Sequence, residues 1–110
     1  MSGTVDALAA LAARTCRQGA PRLDDAELAV HLRVLPGWSR TADAIAKEFR
    51  FSDYAATISF VNAVAAIAER CDHHPDLGVH YDRCTVEWST HSAGGVTLND
   101  VICAAKVEGL

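Results

Sequence analysis

The sequence predicts an α+β fold: a two-layer domain with a four-stranded antiparallel sheet and three helices on one face, in the order α-β-β-α-β-β-α. Three observations carry it. Apolar residues recur at three- and four-residue spacing in three separate segments, the signature of amphipathic helices. Other segments alternate with a period of two, as half-buried strands do. Short turn-forming stretches separate those segments in pairs, so each pair reads as a hairpin.

Residues 1–20 are Ala-rich and end in Gln18-Gly19-Ala20-Pro21. They read as a flexible N-terminal arm with a helical turn or two, because short helices are marginal without packing. Residues 21–110 form the folded domain. Asp24-Asp25-Ala26-Glu27 puts acidic groups where a helix dipole favours them, and Leu28, Leu32 and Leu35 share a face. A helix over 25–34 follows, stopped by Pro36-Gly37. Trp38 to Arg40 and Ala44 to Phe51 form a hairpin turning through Thr41-Ala42-Asp43, with Ile45, Lys47, Phe49 and Phe51 on one parity.

Ser52 is a suitable N-cap with Asp53 in the first turn. From there Tyr54, Ile58, Val61 and Ala68 mark a helix to Arg70 or Cys71, which Pro75 brings to an end. Two strands come next, Gly78 to Asp82 and Cys84 to Thr90; in the second, Thr85, Glu87 and Ser89 oppose Val86, Trp88 and Thr90. Ser92-Ala93-Gly94-Gly95 is a loop. Thr97 caps the last helix with Asp100 three residues on, and Leu98, Val101, Ile102 and Ala105 form its apolar face. A sheet covered on one side leaves its other face or an edge for a partner, so self-association is expected.

Composition narrows the function classes. The chain has 110 residues, 50% hydrophobic and 22% charged, which suits one globular domain. Net charge is −4 with no run of Lys or Arg, which argues against nucleic acid as a partner. No apolar stretch approaches the roughly 18 to 20 residues that span a bilayer. Met1 to Arg14 lacks a basic start, and Asp6 interrupts its apolar run, so a secretory signal is not expected. Cys16, Cys71, Cys84 and Cys103 are widely spread without a Cys-x-x-Cys pair. They read as buried free thiols in a reducing cytoplasm, with a zinc site or a disulfide framework as the alternative.

The chemistry concentrates in Glu69-Arg70-Cys71-Asp72-His73-His74-Pro75 and in His91, at junctions between elements. His31 and His80 fall on a helix face and within a strand, and read as surface or structural. If the helix persists to His73, Glu69 four residues earlier reaches its imidazole and fixes the tautomer. Three histidines with Glu69 or Asp100 form one candidate metal set, although no H-E-x-x-H signature is present. Metal-free acid/base work is the second reading, since imidazole exchanges protons near working pH. A capped helix end with solvated histidines explains the cluster without any chemistry.

Glu-x-x-x-His-His-Pro, then Tyr81, Thr-His91-Ser-x-Gly-Gly and Asp100 resemble the signature of the pterin-4a-carbinolamine dehydratase family. Pro36-Gly37-Trp38, Ala44-Ile45 and Phe49-x-Phe51-x-x-Tyr54 are similar too, and the resemblance covers about residues 20–110. It implies dehydration of 4a-hydroxytetrahydropterin to quinonoid dihydropterin, with the pterin as substrate, no cofactor and no metal. Carried over, His73 and His91 are the acid/base pair with Glu69 in the catalytic set, while His74, Pro75 and Asp100 hold the pterin. A homodimer or homotetramer in the cytoplasm is implied. Many family members carry an aromatic residue after His-His-Pro, where this chain has Leu77-Gly78, a change that weakens stacking on the pterin.

His-His-Pro-Asp-Leu, Asn99-Asp100-x-Ile102-x-Ala104-Ala105-Lys106 and the Cys16-to-Leu23 segment are similar to a plastid and bacterial branch of that family. The branch includes dehydratase-like RuBisCO assembly factors, some associated with carboxysomes. This resemblance implies an alternative: a non-catalytic or weakly catalytic assembly factor whose partner is the RuBisCO large subunit.

Overall fold

The computed structural model of the chain describes residues 3–110. The elements are α1 (Gly3–Ala12), α2 (Asp25–Leu32), β1 (Ser39–Thr41), β2 (Ala44–Arg50), α3 (Tyr54–Cys71), β3 (Asp76–Val79), β4 (Arg83–Trp88) and α4 (Leu98–Glu108), with a single 3-10 turn at His91–Ala93. The four strands form one antiparallel sheet in the order β1-β2-β4-β3. The fold class is therefore the α+β one that the periodicities predict.

The sheet follows from its alternation. Along β4 Cys84, Val86 and Trp88 are fully buried, and Ile45 of β2, opposite Trp88, joins them. Thr85 and Glu87 take the other, half-exposed face. Lys47 shares the core parity of β2 because its ammonium reaches out to Glu108 (2.8 Å) and the Pro36 carbonyl (2.6 Å) and sits over the Phe49 ring, 4.9 Å from its centroid. The β1–β2 turn is two residues long, and Ala42 takes a left-handed φ of 51° there.

Three helix ends differ from the sequence reading or sharpen it. Asp24 caps α2 with a full capping box: it accepts the Glu27 N–H (2.7 Å), and Glu27 accepts its N–H in return (2.9 Å). The N-cap of α3 is Asp53 rather than Ser52, because the Asp53 carboxylate takes the Ala56 N–H (2.8 Å). At α4 the Asp100 carboxylate accepts the Thr97 N–H (2.8 Å), the carboxylate half of the expected box.

α4 was expected to bury one face, yet Val101, Ile102, Cys103, Ala104, Ala105 and Val107 are all buried. The reason is α1. The sequence reading leaves residues 1–20 as an arm with a helical turn or two. Their described part is a ten-residue helix and a loop that cover the outer side of α4. Leu11 is buried, Lys106 donates to the Ala12 carbonyl (2.6 Å), and Asn99 exchanges two hydrogen bonds with the Arg17 backbone (2.9 and 2.7 Å). Among the described residues, no helix is long and apolar enough to cross a membrane.

Candidate active site

The end of α3 decides which side chains meet. Asp72, just past the last turn, is left-handed at φ 49°, and its N–H closes back onto the Ala68 and Glu69 carbonyls. The His73 N–H also reaches the Ala68 carbonyl (3.1 Å). Asp tolerates this conformation better than most residues and here does what a C-terminal glycine usually does. The helix thus closes at Cys71, and the turn at Asp72, not Pro75, ends it.

That turn sends two adjacent imidazoles to different partners. His73 Nε2 lies 2.5 Å from Asp100 Oδ1, and its ring stacks on Trp88 with centroids 5.6 Å apart. The His73 side chain is 15% exposed and that of Asp100 is fully buried. Asp100 Oδ2 accepts the Thr97 N–H and the Thr90 hydroxyl, both at 2.8 Å. The Thr97 hydroxyl, 2.9 Å from that of Thr90, then donates to it. Both oxygens of the buried carboxylate are therefore engaged, by three partners in all. With the carboxylate as acceptor, the proton on His73 sits at Nε2, and Nδ1 is left free to exchange one with a guest.

His74 pairs instead with Glu69, Nε2 to Oε2 at 2.7 Å, with side chains 58% and 77% exposed. The expectation that Glu69 reaches His73 is corrected here. An i,i+4 pair needs helix through both residues, and this helix stops two residues short of His73. His91 opens the 3-10 turn and is exposed. Pro75 is half-buried ahead of β3.

Among the described residues, His73 and His91 line different cavities. His73 lines a cavity of about 390 Å³ with Arg17, Gln18, Asp72, Thr90 and Asn99. His91 lines another of about 260 Å³ with Asp43, Ser89 and Gly95. Thr90 is a wall of both. Among the described residues, no histidine joins two further His, Cys, Asp or Glu groups closely enough to share an ion.

Sequence reasoning missed Trp88 and Thr90 as site residues. The signal was present, since their shared parity puts both on the face that meets α4, but nothing in the pattern shows His73 arriving there. The Trp88 indole N–H is buried and has no partner among the described residues. The loop at 16–20 was missed as well: it closes one side of the His73 cavity.

Comparison with known proteins gives this geometry a family. Residues 21–110 match the family model described as pterin 4 alpha carbinolamine dehydratase. A protein of Stenotrophomonas maltophilia, provisionally named a pterin-4-alpha-carbinolamine dehydratase, is 56% identical over 91 residues, covering 81% of this chain and 78% of its own. A Nitrosospira multiformis protein of the same provisional name is 46% identical over 110 residues, covering 100% and 97%. Among solved structures, a transcriptional coactivator/pterin dehydratase from Brucella melitensis is 37% identical with a TM-score of 0.77, over 80% of this chain and 96% of that one. A pterin dehydratase-like protein identified as a RuBisCO assembly factor in the α-carboxysome aligns with a TM-score of 0.54 at 23% identity, over 66% and 83%, a likeness of fold.

Proposed function

Because the chain belongs to the pterin-4a-carbinolamine dehydratase family, we propose that it dehydrates 4a-hydroxytetrahydropterin to quinonoid dihydropterin by histidine acid/base catalysis without a metal. The observation that carries this reading is the His73–Asp100 couple, held against Trp88 at the wall of a cavity of about 390 Å³. Small-molecule sites typically occupy ~300–1,000 Å³, so a bicyclic guest fits the size.

The reaction needs two proton movements. The C4a–O bond breaks as a proton is delivered to the hydroxyl oxygen, which leaves as water. N5 gives up its proton, and its electron pair forms the new C4a–N5 double bond. With its one ring proton on Nε2 toward Asp100, His73 accepts the N5 proton at Nδ1, and the buried carboxylate stabilises the positive ring that forms. His91, across Thr90, delivers the proton to the hydroxyl oxygen, and solvent returns both rings to their starting states. His74 and Pro75 hold the pterin at the rim, with Glu69 orienting His74. A homodimer or homotetramer completes the proposal, supported by the unpaired edges of β1 and β3 and by exposed Val79 and Tyr81. RuBisCO assembly, the alternative, has the support of one likeness at 23% identity, which carries the fold alone.

The test is a dehydratase assay on the wild-type chain beside His73→Ala and His91→Ala, against the uncatalysed rate. Wild type accelerates water loss, and each variant loses about 10²-fold or more in kcat with an unchanged circular dichroism spectrum. Wild-type protein at the uncatalysed rate overturns the proposal.

A further inference from the structure

Three of the four cysteines, remote in sequence, meet at one point. Cys16 comes from the loop after α1, Cys71 is the last residue of α3, and Cys103 lies in α4. Their sulfurs all lie within 4.8 Å of one another, and Cys16 and Cys103 are 3.6 Å apart. We infer that Cys16, Cys71 and Cys103 form a binding site for one thiophilic d10 cation, Zn(II) or Cu(I), which clips the N-terminal loop to α3 and α4.

Geometry supports it first. Three thiolates at about 2.3 Å from one ion stand roughly 3.8 to 4 Å from each other, so the present spacing needs only small side-chain adjustments. An all-sulfur donor set selects soft ions over Mg(II) or Ca(II). A thiol–thiol hydrogen bond joins Cys16 and Cys103, and Cys71 completes a triangle of sulfurs.

The surroundings suit an ion as well. Cys16 and Cys71 line a cavity of about 470 Å³ that Arg70 and Lys106 share, which gives an entry path and room for a water as fourth ligand. Those two cations offset the surplus charge of three thiolates. The loop carrying Cys16 is already held in place by the paired hydrogen bonds between Asn99 and Arg17. A bound cation takes these sulfurs as thiolates, because a coordinating thiol is deprotonated outright. Cys84, buried in the sheet, stands apart from the cluster.

Such a clip has a structural consequence. Cys71 is two residues from His73, and Cys16 begins the loop that walls the His73 cavity. Cys16 and Cys71 also line the His73 cavity, so an ion here braces two of its walls, and the site stands whether or not the pterin proposal does.

The experiment titrates the reduced full-length chain with Zn(II) in one arm and Cu(I) in the other, each against a chromophoric chelator. One ion per chain is expected in at least one arm, and the arm that saturates identifies the ion. Cobalt substitution of a zinc site gives thiolate-to-metal charge-transfer bands. Cys16→Ser and Cys71→Ser weaken uptake by at least about 10-fold, the loss that even an outer-shell change brings. Cys84→Ser and His73→Ala leave it unchanged. Cys16 is half-buried on a loop, so its variant keeps the fold, which circular dichroism verifies. Absence of uptake in both arms, or full uptake by Cys16→Ser, overturns the inference.

Discussion

His73 and His74 are neighbours in the chain, and each faces a carboxylate, yet the two pairs are physically opposite. Asp100 is fully buried and takes donors from His73, Thr90 and Thr97, while Glu69 is 77% exposed and, among the described residues, its side chain pairs with His74 alone. In the first pair the carboxylate is shut away from water, so charge on Asp100 is felt strongly and its removal leaves donors stranded. In the second, solvent screens the interaction and competes for both partners. The contrast teaches that adjacency to a histidine says little about a carboxylate's weight. Burial of the carboxylate decides it.

The largest effect is expected from Asp100→Asn. An amide offers one acceptor oxygen where three donors converge, and His73 loses its anionic partner. Breaking a buried pair in this way costs about 3 kcal/mol or more. In a domain of this size, that lowers Tm by more than about 10 °C. Activity in the proposed reaction falls by at least about 10²-fold. A thermal melt within a degree or two of wild type would remove the distinction between the two pairs.

Thr90→Val comes next and probes how the buried pair is held. Valine keeps the shape, leaves Asp100 Oδ2 with the Thr97 N–H alone, and strands the Thr97 hydroxyl. About 1 to 2 kcal/mol of stability is lost, measured by denaturant midpoint, and kcat falls less than in Asp100→Asn. Equal losses in the two variants would mean that the network acts as one unit instead of a pair with a support.

The sequence made much of this visible and hid one decisive residue. The alternation at Cys84, Val86 and Trp88 announces a strand half-buried against helices, and the structure has it so. Helical spacing located α2, α3 and α4 because each buries a face. Pairing across the chain was not legible. Nothing in the spacing of residues 16, 71 and 103 signals a meeting of sulfurs, and nothing in an Ala-rich start signals that α1 covers α4. The partners of the histidines were misread for a more local reason. Spacing alone joins Glu69 to His73, but a single left-handed residue, Asp72, breaks the helical register between them. A non-glycine residue in that conformation leaves almost no trace in sequence.

Glu69→Gln gives the smallest expected effect and tests that last point directly. The pair it weakens lies in solvent, so stability changes by less than about 0.5 kcal/mol. If Glu69 does no more than orient His74 at the rim, pterin binding weakens a few-fold while kcat is kept, a rise in KM alone. Had Glu69 instead served His73, as the i,i+4 spacing suggests, kcat would fall as steeply as in Asp100→Asn. The KM-against-kcat split therefore distinguishes a carboxylate that serves the exposed imidazole from one that serves the buried imidazole. A steep fall in kcat would mean that the helix extends past Asp72 when the pterin is bound, restoring the register that the left-handed turn interrupts.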